Sequence, residues 1–162
     1  MTVQDITDRN YSSFKQGERA ALVVGATWCP YCQVYDPTVQ QLSDRLCMVN
    51  FGKAEIDKGH LRQLKRDYQL KAWALPTTLL FKTGREVARF EGCYPYEMAF
   101  DEIMDKLVVG STVYVRSEAA DIPASIDTAE GDLFVVKLLE DSQAGKKGAL
   151  IQVKNGEFNW DR

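Results

Sequence analysis

The chain has 162 residues, of which 45% are hydrophobic, and its 20 basic and 23 acidic residues give a formal net charge of -3. This size allows one domain with its own core plus an appendage, and the composition argues against a disordered chain. Charges of one sign form no long run, so neither nucleic acid nor a membrane surface is an expected partner. The N-terminal segment has no secretory signal pattern and no run could span a membrane, which predicts a cytoplasmic protein.

Short apolar strands alternate with helical patterns through the first two thirds of the sequence, which is typical of an α/β fold with a largely parallel central sheet. The segment 20–26, AALVVGA, predicts a buried strand that runs directly into the turn Cys29-Pro30-Tyr31-Cys32. Apolar residues then recur at helical spacing and predict a helix that contains Pro37 and is kinked by it. The predicted buried face of this helix consists of Cys32, Tyr35, Val39, Leu42 and Leu46.

The next elements follow in the same alternation. Residues 48–57 predict a second central strand and a short helix after it. Residues 76–92 predict two strands joined by a turn at Thr83-Gly84. A last helix is predicted to begin near Pro95, a residue type suited to a first helical position. The apolar residues at helical spacing are Leu61, Leu64 and Tyr68 in the short helix and Ala99, Ile103 and Leu107 in the last one.

After Gly110 the pattern changes to strands without intervening helices, TVYVRS, DLFVVKLLE, GALIQVK and EFNW, with a hairpin turn signal at Asn155-Gly156. The small and acidic stretch EAADIPASIDTAEG predicts a loop or linker. About fifty residues of β-meander would be marginal alone. We therefore expect a domain at 1–110 and a β extension at 111–162. The extension should pack on this domain or on a partner chain, and a second copy of the same chain, in a homo-oligomer, could be that partner.

The cysteine pair Cys29 and Cys32 could be a metal clip, a structural disulfide or a redox reagent. A zinc site needs further ligands at regular spacing, whereas Cys47, Cys93 and the single histidine, His60, are scattered. Haem attachment needs a histidine directly after the second cysteine, and none stands there. The pair therefore predicts redox chemistry without a metal or another cofactor.

The predicted position of the pair at the start of a helix assigns a role to each cysteine. Exposed N–H groups and the positive end of the helix dipole stabilise a thiolate on Cys29, and the pKa of such activated cysteines lies at roughly 3.5 to 7.5 against ~8.5 in a free cysteine. Cys32, three residues on, can reach a mixed disulfide on Cys29 and displace the bound substrate. Cys29 is predicted to be the nucleophile and Cys32 the resolving cysteine.

Several motifs together resemble the thioredoxin family: Trp28-Cys29-Pro30-Tyr31-Cys32, the helix proline Pro37, and the segments LPTTLLFKTG and FEG. The similarity covers Val3 to Val108. It implies the thioredoxin fold, a central mixed sheet flanked by helices, and the activity of a thiol-disulfide oxidoreductase. Glutaredoxins share the Cys-Pro-Tyr-Cys tetrad, but Trp28 and the lack of a Gly-Gly pair after the LPTTLLFKTG strand favour thioredoxin.

The resemblance also implies how substrates bind. Pro76 corresponds to the cis-proline of the family, which lies against the cysteine pair, and Leu75 would offer its backbone to a substrate strand. Trp28, Trp73 and Gly92 correspond to the positions that border the substrate groove. The expected partners are protein disulfides, together with a reductase or another electron donor.

One position departs from the family pattern. The buried acid that helps to deprotonate the second cysteine is replaced by Val23, while the lysine opposite it corresponds to Lys53 and would lack a partner. Glu55 lies two residues further on, on the same strand face. We hypothesise that Glu55 or a water takes over proton transfer. The alternative is a solvated surface pair of Lys53 and Glu55.

The sequence leaves three functions open. A reductase of protein disulfides is the first, and an oxidase or isomerase is the second, because the Pro-Tyr dipeptide and Val23 permit a more oxidising couple. The third is a non-enzymatic binding module that docks a partner through the β extension. Of the other cysteines, Cys47 is predicted to be structural. Cys93 is predicted to be an uninvolved thiol at the rim of the site, with a regulatory disulfide or a glutathione adduct as its alternative.

Overall fold

The computed structural model describes residues 2–59, 61–68, 74–130 and 133–160. The chain divides into two compact units, Met1–Leu107 and Val108–Arg162, so the boundary lies a few residues before the predicted one at Gly110. No helix in the described ranges is long and apolar enough to cross a membrane.

The first unit is built on a five-stranded sheet with the order β1-β3-β2-β4-β5. The central strand β2 pairs parallel with β3 and antiparallel with β4, so the sheet is mixed rather than largely parallel. Strand β4 runs opposite to β2, and β5 returns antiparallel to β4 through a tight turn, so only the β1–β3 and β3–β2 pairs are parallel. The strands are β1 (Gln4–Asp5), β2 (Arg19–Gly25), β3 (Asn50–Glu55), β4 (Thr77–Lys82) and β5 (Arg85–Glu91).

Helices flank this sheet, as the thioredoxin fold requires. They are α1 (Tyr11–Lys15), α2 (Pro30–Arg45), α3 (Arg62–Asp67) and α4 (Tyr96–Ile103), and a π-helical turn, Met104–Val108, continues α4. The predicted apolar face of α2 is buried, including Leu46 at its C-terminal end. The elements β1 and α1 were not predicted, because two strand residues and five helical ones are too few for a periodic pattern.

The second unit is an all-antiparallel sheet with the order β10-β6-β7-β8-β9. Its last strand returns to pair with its first, so the order differs from a plain meander. This pairing protects the outer edge of β6, which would otherwise be an open sheet edge. The strands are β6 (Thr112–Val115), β7 (Ile122–Glu130), β8 (Leu133–Leu138), β9 (Leu150–Lys154) and β10 (Phe158–Trp160).

The stretch 118–131, predicted as a loop or linker, contains β7, and that prediction was wrong. Ile122, Ala124 and Ile126 alternate on the buried face of β7, and the strand is paired on both sides. Small side chains and a register shift between Ile126 and Thr128 hide this alternation in the sequence. Pairing with two neighbouring strands stabilises a segment whose own strand propensity is low.

Three aromatic rings pack against one another in the second unit. Phe134 meets Phe158 and Trp160 edge to face, with ring centroids 5.4 and 6.5 Å apart, and Phe158 and Trp160 are 5.3 Å apart. Such edge-to-face contacts add to the free energy gained from burial. Phe134 is fully buried, whereas Phe158 is 4% exposed, so Phe134 is the innermost ring of this cluster.

We expect Phe134→Ala to lower the free energy of unfolding by about 3 to 5 kcal/mol, because it removes a buried ring and leaves a cavity. Urea unfolding of the full chain, followed by circular dichroism, measures this loss. Leu150→Ala, at an exposed position of β9, is the matched control and should change the free energy of unfolding little. An equal loss in both variants would contradict a core centred on Phe134.

Candidate active site

Helix α2 begins at the cysteine pair. Cys29 is its N-cap, and the Cys29 Sγ accepts a hydrogen bond of 3.2 Å from the Cys32 N–H. Pro30 follows at the first helical position, where its missing N–H leaves no donor unsatisfied and its fixed φ favours the helix. The sulfur of Cys29 therefore lies where the unpaired N–H groups of the helix point, which favours its negatively charged form.

The two cysteines form a disulfide with their Cα atoms 5.3 Å apart. Both residues are almost fully buried, at 3% and 4% exposure. The Cys29 Sγ lies 3.8 Å from the carbonyl oxygen of Leu75, and the Leu75–Pro76 peptide bond is cis, as the resemblance implied. The Pro76 carbonyl in turn accepts a hydrogen bond of 2.7 Å from the Gly92 N–H. The cysteine pair and the start of β4 thus lie together.

Gly25, the last residue of β2, allows the second cysteine to lie against the sheet. A Cβ atom at Gly25 would lie only 3.0 Å from the Cys32 Sγ. Any larger residue at this position would therefore push the sulfur outward. The parallel register pairs Gly25 with Glu55 on β3. Glu55 is thus the residue directly beside the sheet position that the sulfur contacts.

The rim around the disulfide is apolar and exposed. Trp28, Tyr31 and Val34 are 58%, 70% and 71% exposed, and none of them carries a charge. Large exposed apolar side chains that lie together mark a surface that binds another molecule. Trp73, also predicted to border the groove, lies outside the described residues, as does His60.

The loop in front of Cys29 is held by a residue that the sequence analysis did not identify, Asp57. The Asp57 carboxylate accepts a hydrogen bond of 2.9 Å from the Thr27 N–H and a second one from the Thr27 hydroxyl. These two bonds, led by the one from the hydroxyl, lower the pKa of Asp57. Gln33 also donates to the Thr27 carbonyl at 3.3 Å. Three hydrogen bonds to Thr27 thereby hold the backbone just before the nucleophile.

Cys93 lies at this rim as well. Its thiol is exposed and donates to the Tyr31 carbonyl at 3.0 Å. Partial desolvation raises the pKa of Cys93, which disfavours its reactive thiolate at neutral pH. The uninvolved thiol stays a prediction. Cys47 is half-buried.

Lys53 does have a partner, contrary to the sequence prediction. It lies opposite Val23 in the sheet, and its ammonium donates to both oxygens of Asp36, at 2.8 Å each. A Glu55 oxygen lies 3.7 Å away, and the other Glu55 oxygen pairs with Lys58 at 2.5 Å. Asp36 was missed because its contact depends on the packing of α2 on β3; its only sequence signal is its place four residues after Cys32.

Two hydroxyl groups lie on the other side of Val23. Thr78 is its register partner on β4, and Tyr35 reaches the Thr78 hydroxyl from α2. Both side chains are buried, and among the described residues neither hydroxyl has a hydrogen-bond partner of good geometry. Burial raises the pKa of Tyr35 to about 12. The Tyr35 hydroxyl therefore stays neutral under the helix at any physiological pH.

Tyr35→Phe tests this burial. A raised pKa means that the folded state resists ionisation of Tyr35, so the fold has its full stability below pH ~10 and loses stability as the pH rises from there through about 12. Alkaline titration by tyrosinate absorbance should show one phenol fewer near pH 12 in the variant. Because the hydroxyl is poorly satisfied, the free energy of unfolding at neutral pH should not fall. A clear loss of stability at neutral pH would contradict this account.

The comparisons with known proteins agree with the fold. The sequence model of the thioredoxin family matches residues 2–105. The chain belongs to the thioredoxin family. A thioredoxin Y of Oryza sativa subsp. japonica, a chloroplastic protein, is 33% identical over 106 residues, or 62% of this chain and 61% of that relative. Thioredoxin-1 of Saccharomyces cerevisiae is 32% identical over 85 residues, or 52% of this chain and 78% of that relative.

Solved structures of thioredoxins are similar to about two thirds of this chain. The thioredoxin NaTrxh from Nicotiana alata superposes with a TM-score of 0.56 at 26% identity, and the match covers 65% of this chain and 92% of that one. The thioredoxin of Malassezia sympodialis gives a TM-score of 0.57 at 23% identity. This chain spans less than two thirds of the length of the rice relative.

The arrangement is that of a dithiol-disulfide couple. One sulfur lies at a helix N-terminus beneath an apolar rim, and the second lies within bonding distance on the next turn. Such a pair can exchange two electrons with another disulfide or dithiol. Among the described residues, no group of histidine, cysteine and acidic side chains could hold a metal ion.

Proposed function

We propose that this thioredoxin-family protein is a thiol-disulfide oxidoreductase that reduces protein disulfides, with Cys29 as the nucleophile and Cys32 as the resolving cysteine. The observation that carries the proposal is the hydrogen bond from the Cys32 N–H to the Cys29 Sγ at the start of α2. That donor stabilises charge on the sulfur that attacks. The Cys32 sulfur, which lies against Gly25, is within bonding distance of the Cys29 sulfur, as a resolving thiol must be.

The exchange takes place in two balanced steps. The Cys29 thiolate attacks one sulfur of a substrate disulfide, forms a mixed disulfide and releases the other sulfur as a thiolate. Cys32 then gives up its proton, attacks the Cys29 Sγ and releases the remaining substrate sulfur as a second thiolate, which takes up a proton. Two electrons have passed to the substrate, and the protein holds its disulfide. A reductase or another electron donor must supply two electrons for the next cycle.

Substrate binding is proposed to use the groove beside the disulfide. The backbone of Leu75 would pair with an extended substrate segment, and Pro76, Trp28 and Gly92 would line its path. The uncharged rim supports substrates whose segments next to the disulfide are apolar. Trp73 is included in the proposed groove because the sequence resemblance assigns it to the groove border.

Glu55 is proposed to accept the Cys32 proton. Val23, where the family has an acid, is apolar, whereas Glu55 is the register partner of Gly25, against which the Cys32 sulfur lies. The Glu55 side chain is only 17% exposed, so water screens its charge only weakly from the buried region under α2. Lys53, paired with Asp36, would stabilise the charges that form during the transfer.

The function is tested first with Cys32→Ser. Wild-type protein should reduce insulin disulfides when thioredoxin reductase supplies electrons. Cys32→Ser keeps the nucleophile and loses the resolving thiol, so it should stop after one step and accumulate a covalent adduct, visible by non-reducing electrophoresis and mass spectrometry. Cys29→Ser is the matched control and should form no adduct.

Other outcomes would point to the other functions. Adducts on both variants, or on neither, would contradict the assigned roles of the two cysteines. An oxidase is the second candidate, since Tyr31 lies between the cysteines and Val23 replaces the acid. Oxidation of a reduced substrate protein without reduction of insulin would favour it, as would a reduction potential near -120 mV rather than roughly -270 mV. Full function in a double Cys29/Cys32→Ser variant would favour the binding module.

Glu55→Gln tests the proton acceptor. The substitution should slow the attack of Cys32 on the mixed disulfide by about 100-fold, the lower end of the usual contribution of general base catalysis. Stopped-flow measurement with an aromatic disulfide that releases a coloured thiolate resolves the two steps, because each step releases one thiolate. Glu97→Gln, at an exposed position on α4, should leave both steps unchanged. An unchanged second step in Glu55→Gln would exclude Glu55.

The cytoplasmic location and a contact between the β extension and a partner chain stay predictions. The relatives include a chloroplastic thioredoxin as well as Thioredoxin-1 of yeast. Localisation of the tagged full chain in its source cells tests the cytoplasmic location. The size of the protein in solution, measured by light scattering, decides whether the partner is a second copy.

A further inference from the structure

Asp36 connects the helix that begins at the redox pair with the neighbouring strand β3. Both of its oxygens accept hydrogen bonds of 2.8 Å from the Lys53 ammonium. Residues four apart on a helix are neighbours on one face, so Asp36 lies one turn beyond Cys32 on the same side of α2. The Asp36 side chain is 43% exposed and that of Lys53 is 25% exposed, so the pair lies at the edge of the buried region.

Lys53 has two carboxylates within reach and is hydrogen-bonded to only one of them. Its ammonium is 2.8 Å from Asp36 but 3.7 Å from the nearer Glu55 oxygen, which is too long for a hydrogen bond. The other Glu55 oxygen is held by Lys58. Acidic and basic side chains thus alternate in a row that runs from Asp36 on α2, through Lys53 and Glu55 on β3, to Lys58 in the turn after β3.

This geometry decides how strongly the Glu55 carboxylate is neutralised. An ammonium bonded directly to a carboxylate stabilises its charged form and makes it a poorer proton acceptor. Glu55 already has one ammonium in ion-pair contact, that of Lys58 at 2.5 Å. Without Asp36, no described carboxylate would hold Lys53 on the helix side, and its ammonium would move the short distance to the second Glu55 oxygen.

We propose that Asp36 is a positioning residue for the exchange reaction: it holds the Lys53 ammonium on the helix, which leaves one Glu55 oxygen able to accept the Cys32 proton. The inference rests on the proposed function and on Glu55 as the proton acceptor. Asp36 acts only through Lys53. Asp36, on α2, provides the carboxylate partner of Lys53 that the apolar Val23, on β2, cannot provide.

Asp36→Asn tests the proposal in the stopped-flow assay with the coloured aromatic disulfide. All variants carry Cys47→Ala and Cys93→Ser, so that only the redox pair reacts. Release of the first thiolate should keep its wild-type rate, because Cys29 does not depend on Glu55. Release of the second should slow by about fivefold, the upper range for a partly exposed ion pair. Asp44→Asn is the matched control: Asp44 lies on the same helix and is bonded by Gln40 instead of a lysine, so neither rate should change.

A double-mutant cycle shows whether Asp36 acts through Lys53. In a Lys53→Gln background no ammonium remains to be held, so adding Asp36→Asn should not slow the second step further. Equal melting temperatures of the Asp36→Asn and Asp44→Asn variants would show that the effect on the rate is not a loss of fold.

Four results would overturn the proposal. Three of them are an unchanged second step in Asp36→Asn, an equal slowing of both steps, and a further slowing by Asp36→Asn in the Lys53→Gln background; the fourth concerns Glu55. The failure of the proposed function would look different: a reduced Cys29/Cys32 pair would still release both thiolates from the aromatic disulfide, but the wild-type protein would not reduce insulin when thioredoxin reductase supplies electrons. If Asp36→Asn slows the second step but Glu55→Gln does not, Glu55 is not the acceptor and the proposal falls with it.

Discussion

The candidate site depends on the close approach of the start of α2 to the end of β2. The Cys32 sulfur lies against Gly25 with no room for a methyl group between them, and the Cys29 sulfur caps the helix. Because the helix begins at the first cysteine, its N–H groups act on that sulfur. Because the strand ends in glycine, the second sulfur is buried yet within bonding distance. The redox pair therefore requires both the end of β2 and the start of α2.

Burial of the second cysteine makes its deprotonation difficult. A buried thiol must lose a proton where little water is present, and a nearby polar group is then needed to stabilise the charge. The family position for such a group is occupied by Val23. The chain instead has polar groups on both sides of this valine, Lys53 on β3 and Thr78 on β4. Two consecutive residues of α2, Tyr35 and Asp36, contact them.

The parts of the site that the sequence predicted are those encoded locally. Apolar periodicity and a proline at the first helical position act within a few residues, so the strand, the turn and the helix around Cys29 were predicted correctly. Asp36 could not be identified in this way, because its partner Lys53 is brought to it by the packing of α2 on β3. The same limit explains β7, where pairing on both sides stabilises a strand built around Ala124 and Pro123.

The two sides of Val23 differ in what they can do for the reaction. On the hydroxyl side, burial raises the pKa of Tyr35 to about 12, so that side is neutral and cannot accept the proton of a thiol. On the charged side, the row from Asp36 to Lys58 contains two acids and two bases and is neutral as a whole. A proton that moves from Cys32 to Glu55 creates a thiolate and removes a carboxylate charge. The total charge of the row and Cys32 together is then unchanged, so the transfer adds no net charge beside the buried Cys32 sulfur.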